Sequence, residues 1–211
     1  MVRTQHEFGD VQAVYLPVAL AVVAVVYLAF AFAVARYRAG RGHAPRPTKD
    51  RNAVEIAFAA VLALIVAGLV VVTFNANARE TENSNRVRFR VDVLAYKWGW
   101  QFTYPSVPSV VDRTTPNRPP ILHVPANATV EVTLRTQDTT HAFWVPSVKY
   151  KQDAWPGATR RFRLVFPPGD HLSGHCAQYC GLRHSDMVFT VHAMGRAEYR
   201  AWSARARGRA P

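Results

Sequence analysis

Two uncharged apolar stretches constrain this chain more than any other feature. The first runs from about Val11 to Ala35 and the second from about Ile56 to Phe74. A helix needs about 20 apolar residues to cross the hydrocarbon core of a bilayer, and both stretches meet that requirement. A core helix of a soluble domain would carry a polar face, and neither stretch does. The apolar core of a signal peptide is shorter than the first stretch. The reading is a transmembrane helical hairpin, with helices at about 11–35 and 54–75 inside an N-terminal segment of residues 1–80. The connecting segment carries Arg36, Arg38, Arg41, Arg46, Lys49 and Arg51 against Asp50 alone. Basic loops stay on the cytoplasmic side. Both ends of the hairpin therefore point outward, and residues 81–203 are expected on the outer face of the membrane.

The period then changes. Val87 to Val93 alternates apolar and polar residues, as does Thr129 to Arg135, with Val130, Val132 and Leu134 against Glu131, Thr133 and Arg135. Phe162 to Phe166 and Val188 to Met194 repeat the signal, and Pro125-Ala126-Asn127, Pro156-Gly157 and Pro167-Pro168-Gly169 supply turns between them. Short alternating runs between turn signals predict an all-β sandwich or barrel. Residues 204–211 are rich in Arg, Ala and Gly and are expected to form a disordered basic tail.

Chemistry concentrates in one loop. Cys176 and Cys180 are the chain's two cysteines, and Gly181, His184 and Met187 follow at once. Thiolate, thioether and imidazole together suit copper better than magnesium or calcium. A second imidazole, His141, lies upstream in Thr139-Thr140-His141-Ala142-Phe143-Trp144-Val145-Pro146-Ser147. One distant histidine and a late Cys/His/Met loop is the ligand layout of a copper-binding Greek-key barrel. The second cysteine exceeds what a mononuclear blue-copper site needs. A disulfide is the alternative in an outward-facing domain. Zinc is another, although structural zinc sites pair two such cysteine motifs and make little use of methionine.

With these residues in view, the chain closely resembles subunit II of the haem-copper cytochrome c oxidases, from about Tyr15 to Trp202. The likeness rests on the hairpin, the aromatic run from Tyr96 to Tyr104, His141 with Val-Pro-Ser after it, Lys151-Gln152-Asp153-Ala154-Trp155-Pro156-Gly157, and Cys-x3-Cys-Gly-x2-His-x2-Met. The resemblance implies a two-helix transmembrane hairpin followed by an all-β, cupredoxin-like Greek-key barrel. It also implies a dinuclear copper centre, CuA, bridged by Cys176 and Cys180. In that centre His141 and His184 each bind one copper, and Met187 and the backbone carbonyl of Gln178 are weak ligands. The family usually has Glu where Gln178 stands, and that carboxylate reaches a magnesium ion at the boundary with subunit I. A neutral amide is a poorer ligand for so hard a cation, so magnesium is not expected to be held as in most of the family.

The resemblance further implies that Trp98 admits electrons from a c-type cytochrome, and that Glu55 stands at the mouth of a proton path into subunit I. By itself Glu55 reads equally as an acid stabilising the N-terminal end of a helix. Phe58 stands where the family commonly has Trp. Trp100 and Phe102 read as packed strand aromatics and Met194 as core, while His123, His171, His175 and His192 carry no motif. The implied function is that of the electron-transfer subunit of a terminal oxidase in a bacterial plasma membrane. The implied partners are subunit I, subunit III, membrane lipid and the cytochrome. No Cys-x2-Cys-His is present, so no c-type haem is expected on the chain.

The formal charge of +12 is spread through strands, loops and tail without a nucleic-acid reader motif, so nucleic acid is not expected as a partner. A strongly basic chain repels a lysine-rich cytochrome. The expected donor is therefore acidic, neutral or tethered. A quinol oxidase subunit would lack the copper ligands that are intact here. Nitrous oxide reductase would need a propeller domain for which 211 residues leave no room. A membrane-anchored carrier of a single copper is separated by metal stoichiometry.

Overall fold

A computed structural model describes residues 3–38, 51–81, 89–107, 110–115 and 118–208. The chain divides into a helical unit and a β unit.

The helical unit contains α1 (Arg3–Tyr37) and α2 (Asn52–Thr81). Both extend beyond the apolar stretches, because polar residues at each end keep helical backbone bonds while the apolar segment sets only the minimum length. Segments Phe8–Tyr37 and Asn52–Ala76 are each long and apolar enough to cross a membrane, and neither is buried by protein. The helices meet through Tyr15, whose hydroxyl donates to the Leu69 carbonyl at 3.1 Å and lies 2.6 Å from Thr73 Oγ1. Thr73 bonds the same carbonyl at 2.9 Å. Polar atoms at membrane depth find partners within the protein in this way. The basic connecting loop, apart from its flanks, lies outside the described residues.

The β unit is two five-stranded sheets. The first has the order β3 (Val111–Arg113), β2 (Gly99–Thr103), β1 (Phe89–Tyr96), β5 (Thr129–Thr136) and β8 (Arg160–Val165). The second has the order β4 (Ile121–Pro125), β10 (Val188–Met194), β9 (Gly169–Cys176), β6 (His141–Val145) and β7 (Tyr150–Ala154). β1 pairs parallel with β5 and β4 parallel with β10, while the other pairings are antiparallel. These crossovers give the expected Greek-key character. Alternation in β1 and β5 sends Val91, Val93, Val130, Val132 and Leu134 inward, all buried.

Trp100 and Phe102 are fully buried, as expected for packed aromatics. Trp100 meets Phe189 and Phe143 edge-on at 5.3 and 6.0 Å. Aromatic pairs of this kind are worth about 0.5–1.5 kcal/mol beyond their buried area. Phe189 packs against Gly174, where a Cβ would come within 2.2 Å of its ring. Met194 is buried in the closing strand, as expected.

The C-terminal segment corrects the expectation of a tail disordered from residue 204. Residues 204–207 are the last turn of α3 (Arg196–Arg207). Tyr199 and Ser203 are buried, Trp202 and Ala206 pack on the core, and the three-and-four spacing puts them on one face. Arg205 and Arg207 in the last turn favour the negative helix end. Residues 209–211 lie outside the described residues.

Candidate metal centre

The centre joins the start of β6 to the loop between β9 and β10. His141 opens β6 and is fully buried, and Cys176 closes β9. Phe143 is in register with Cys176. Ala177 N–H donates to the Ala142 carbonyl at 3.1 Å, which locks the loop base to the histidine strand. On the other side, Cys176 N–H donates to the Met187 carbonyl at 3.0 Å, and Trp100 Nε1 donates to that same carbonyl at 3.2 Å. Gly181 holds φ at +120°, a conformation side chains rarely adopt, and lets the chain reverse toward His184.

Five side chains and one carbonyl converge. The two sulfurs are 3.9 Å apart as free thiols. Cys176 Sγ lies 3.8 Å from His141 Nδ1 and 3.2 Å from the Gln178 carbonyl oxygen. Cys180 Sγ lies 3.5 Å from His184 Nδ1 and 3.8 Å from Met187 Sδ. Each sulfur thus has one imidazole and one weaker donor beside it. The ligand atoms of His141, Cys176 and Cys180 all lie within 4.8 Å of one another. Cys176, Cys180 and Met187 are buried, while the Gln178 and Tyr179 side chains point outward to solvent.

His141 is held from behind by Asp138, a residue the sequence reading did not single out. Its Nε2 is 2.9 Å from Asp138 Oδ1. The carboxylate also accepts Thr139 N–H at 2.6 Å and Lys97 N–H at 2.7 Å. Burial raises the Asp138 pKa, but the hydrogen bonds from His141, Thr139 and Lys97 outweigh it and hold it below the usual carboxylate range. Burial lowers His141, and hydrogen bonds to Cys176 and Asp138 more than reverse this. At Cys176, burial is overcome by hydrogen bonds with His141 and the backbone, which bring the thiol down to about 6. Burial, and then the charge on Cys176, push Cys180 up to about 12. Cys176 is therefore the thiol that ionises first, and a cation is what the second needs in order to follow.

Trp98 sits in the turn between β1 and β2, half-buried rather than fully exposed. A Cβ at Gly181 would lie 3.3 Å from its Nε1, so the indole rests directly on the cysteine loop. Glu55 belongs to the other unit, exposed in the first turn of α2. Within the β unit the structure brings together His141, Cys176, Gln178, Cys180, His184 and Met187, with Trp98 beside them.

This fold and donor set define a cupredoxin-like domain built for a soft metal. Residues 116–194 match the family model for the periplasmic domain of cytochrome c oxidase subunit II. The resemblance read in the sequence is thereby borne out for the domain that carries the cluster. Cytochrome c oxidase subunit 2 of Bacillus subtilis is 31% identical over 118 residues, covering 53% of this chain and 31% of that protein. The chain spans about a third of the length of the first curated relatives it matches. The periplasmic domain of subunit II from Bradyrhizobium japonicum shares the fold, with a TM-score of 0.52 at 21% identity over 58% of this chain and 96% of that one. A structure of a mixed disulfide between a thioredoxin-like protein and a subunit II domain superposes with a TM-score of 0.50 at 19% identity, covering 61% of this chain and 96% of that one.

Proposed function

We propose that this chain is the electron-accepting subunit of a cytochrome c oxidase in a bacterial plasma membrane, anchored by α1 and α2 with its β unit on the outer face. Subunits I and III are its partners in the membrane, and a c-type cytochrome is its donor. The observation that carries the reading is the paired arrangement around Cys176 and Cys180, with one imidazole and one weak donor beside each sulfur. Two thiolates, two imidazoles, a thioether and a carbonyl fit a dinuclear copper centre and fit zinc poorly. His141, Cys176, Cys180 and His184 would hold the metal, with Met187 and the Gln178 carbonyl as weak donors. Copper bound there supplies a one-electron carrier whose bonds change little on reduction.

The chain's own residues do the rest. Asp138 fixes the orientation of His141, and the burial of Cys176, Cys180 and Met187 keeps water from the sulfurs. Trp98 gives an incoming donor an aromatic contact that touches the cysteine loop. Dioxygen reduction and proton translocation belong to the assembled oxidase, with Glu55 at the start of a proton path. Gln178 offers a carbonyl in place of a carboxylate, and magnesium has no part in the reading. A thioredoxin-like partner, of the kind bound to the solved subunit II domain, would keep the two thiols reduced before copper is loaded.

The test is purification of the oxidase from membranes with metal, haem and subunit analysis. Two coppers in this chain, with an electron-spin signal shared over both nuclei and lost in Cys176→Ser and Cys180→Ser, is the expected result. A single copper, zinc, or a signal that survives either substitution overturns the assignment.

A further inference from the structure

The outer face of the first sheet is basic where it approaches Trp98. Direct pairing puts Arg113, Gln101, Leu94 and Arg135 in one row across β3, β2, β1 and β5. Leu94 alternates with the buried Val93 and Ala95, so this row faces outward. The next step along the sheet toward the turn is Tyr96 opposite Gly99, and then Lys97 and Trp98 themselves. Lys97, Arg113 and Arg135 are exposed, and none has a carboxylate partner among the described residues. Three nearby acids are already engaged, and Asp92 lies one row further along the same face, opposite Thr103 and Thr133. Asp138 accepts from His141 and two backbone N–H groups, Asp112 pairs with Arg118 at 3.0 Å, and Asp186 pairs with Arg183 at 3.0 Å. At the far end of the same face the charges are answered: Glu131 lies 3.2 Å from Arg90 and 3.6 Å from Arg163. Between the two ends, Asp92 and Arg161 share a row through Thr133, so among the described residues the cations Lys97, Arg113 and Arg135 outnumber the carboxylates toward the Trp98 end, where Asp138 is the acid beside them. Leu182, next to the Gly181 that supports the indole, is 88% exposed.

An apolar centre with a charged rim is the anatomy of a transient protein interface. Electron-transfer encounters are small and draw their rate from electrostatic steering. We propose that this surface, with Trp98 and Leu182 at its centre and Lys97, Arg113 and Arg135 on its rim, docks an electron-donor protein whose own surface is acidic. The inference rests on the electron-accepting role proposed above and adds the chemistry of its partner. A lysine-rich donor would meet the same rim with like charge, at a cost that grows as salt is removed.

The experiment uses the purified oxidase and two soluble c-type cytochromes, one acidic and one lysine-rich, with ionic strength raised from about 0.01 to about 0.15 M as the Debye length shrinks from about 30 to about 8 Å. Wild-type kcat/KM with the acidic cytochrome should be highest at low salt and fall as salt rises, and the lysine-rich one should show the reverse. The double variant Arg113→Glu/Arg135→Glu should lower kcat/KM for the acidic cytochrome about tenfold at low salt and raise it for the lysine-rich one. Arg90→Glu/Arg163→Glu, at the far end of the face, should change either by much less. The copper spectrum and turnover with a small uncharged reductant should stay constant in both variants. If that spectrum is intact but the two double variants behave alike, or the lysine-rich cytochrome is preferred at low salt, the docking surface is wrong while the electron-accepting role stands. If the oxidase carries no dinuclear copper, the role itself fails.

Discussion

Asp138 Oδ1 stands 2.9 Å from His141 Nε2, while the other nitrogen of that imidazole faces Cys176 Sγ at 3.8 Å. The carboxylate thus fixes both the tautomer and the tilt of a buried histidine whose other nitrogen faces the cysteine pair. Partners of this kind raise ligand basicity, and their loss typically costs 10–100-fold in metal affinity. Asp138→Asn should therefore weaken copper binding by about tenfold or more and shift the visible spectrum. Competition titration against a copper chelator measures the first, and an unchanged affinity would show that β6 alone orients His141.

Trp98 touches the cysteine loop without offering a ligand. Trp98→Phe should slow oxidation of a protein donor under donor-limited conditions and leave the copper spectrum intact. Stopped-flow rates with and without excess donor provide the check, and an unaltered rate moves electron acceptance to another part of the surface.

His123 lies under Trp202, with ring centroids 4.8 Å apart, and its Nδ1 is buried without a hydrogen-bond partner. Burial, and then the neighbouring His192, lower its pKa from 6.5 to about 4. A histidine depressed on folding contributes stability that is present above the unfolded value of about 6.5 and is lost as pH falls toward the folded value. Acidification from pH 6.5 to about 4 should therefore lower the melting temperature of the β unit. His123→Phe, which keeps the stacked ring and removes the charge, should flatten that dependence. Parallel slopes for the two proteins would place the acid sensitivity elsewhere.

Gly174→Ala would put a methyl group 2.2 Å from the Phe189 ring in the middle of the aromatic core. Overpacking usually costs about 1–3 kcal/mol, and more where neither backbone nor ring can yield. Phe189 is also fixed against Trp100 and Phe143, so the loss should be at least about 2 kcal/mol. Denaturant unfolding measures it. A neutral result would mean that the two sheets separate more readily than their packing indicates.

Local patterns carried a large part of this. Alternation marked β1, β5, β8 and β10 because an inward-facing strand repeats every second residue. The aromatic run read correctly as packed core at Trp100 and Phe102. The segment after Gly195 was missed because Arg and Ala dominate its composition. The spacing of Tyr199, Trp202 and Ala206, which shows a helix with one apolar face, was the available signal.

The apolar lengths of the two stretches and the donor types at Cys176, Cys180, His184, Met187 and His141 follow from the sequence by itself. Hydrophobic length and ligand softness are properties of residues, whatever their neighbours. The partnership of Asp138 with His141, the seat of Trp98 on Gly181, the glycine under Phe189 and the basic row from Arg113 to Arg135 were decided only by tertiary structure. Each joins residues from different strands or turns, and sheet register, which no single segment encodes, determines which of them meet.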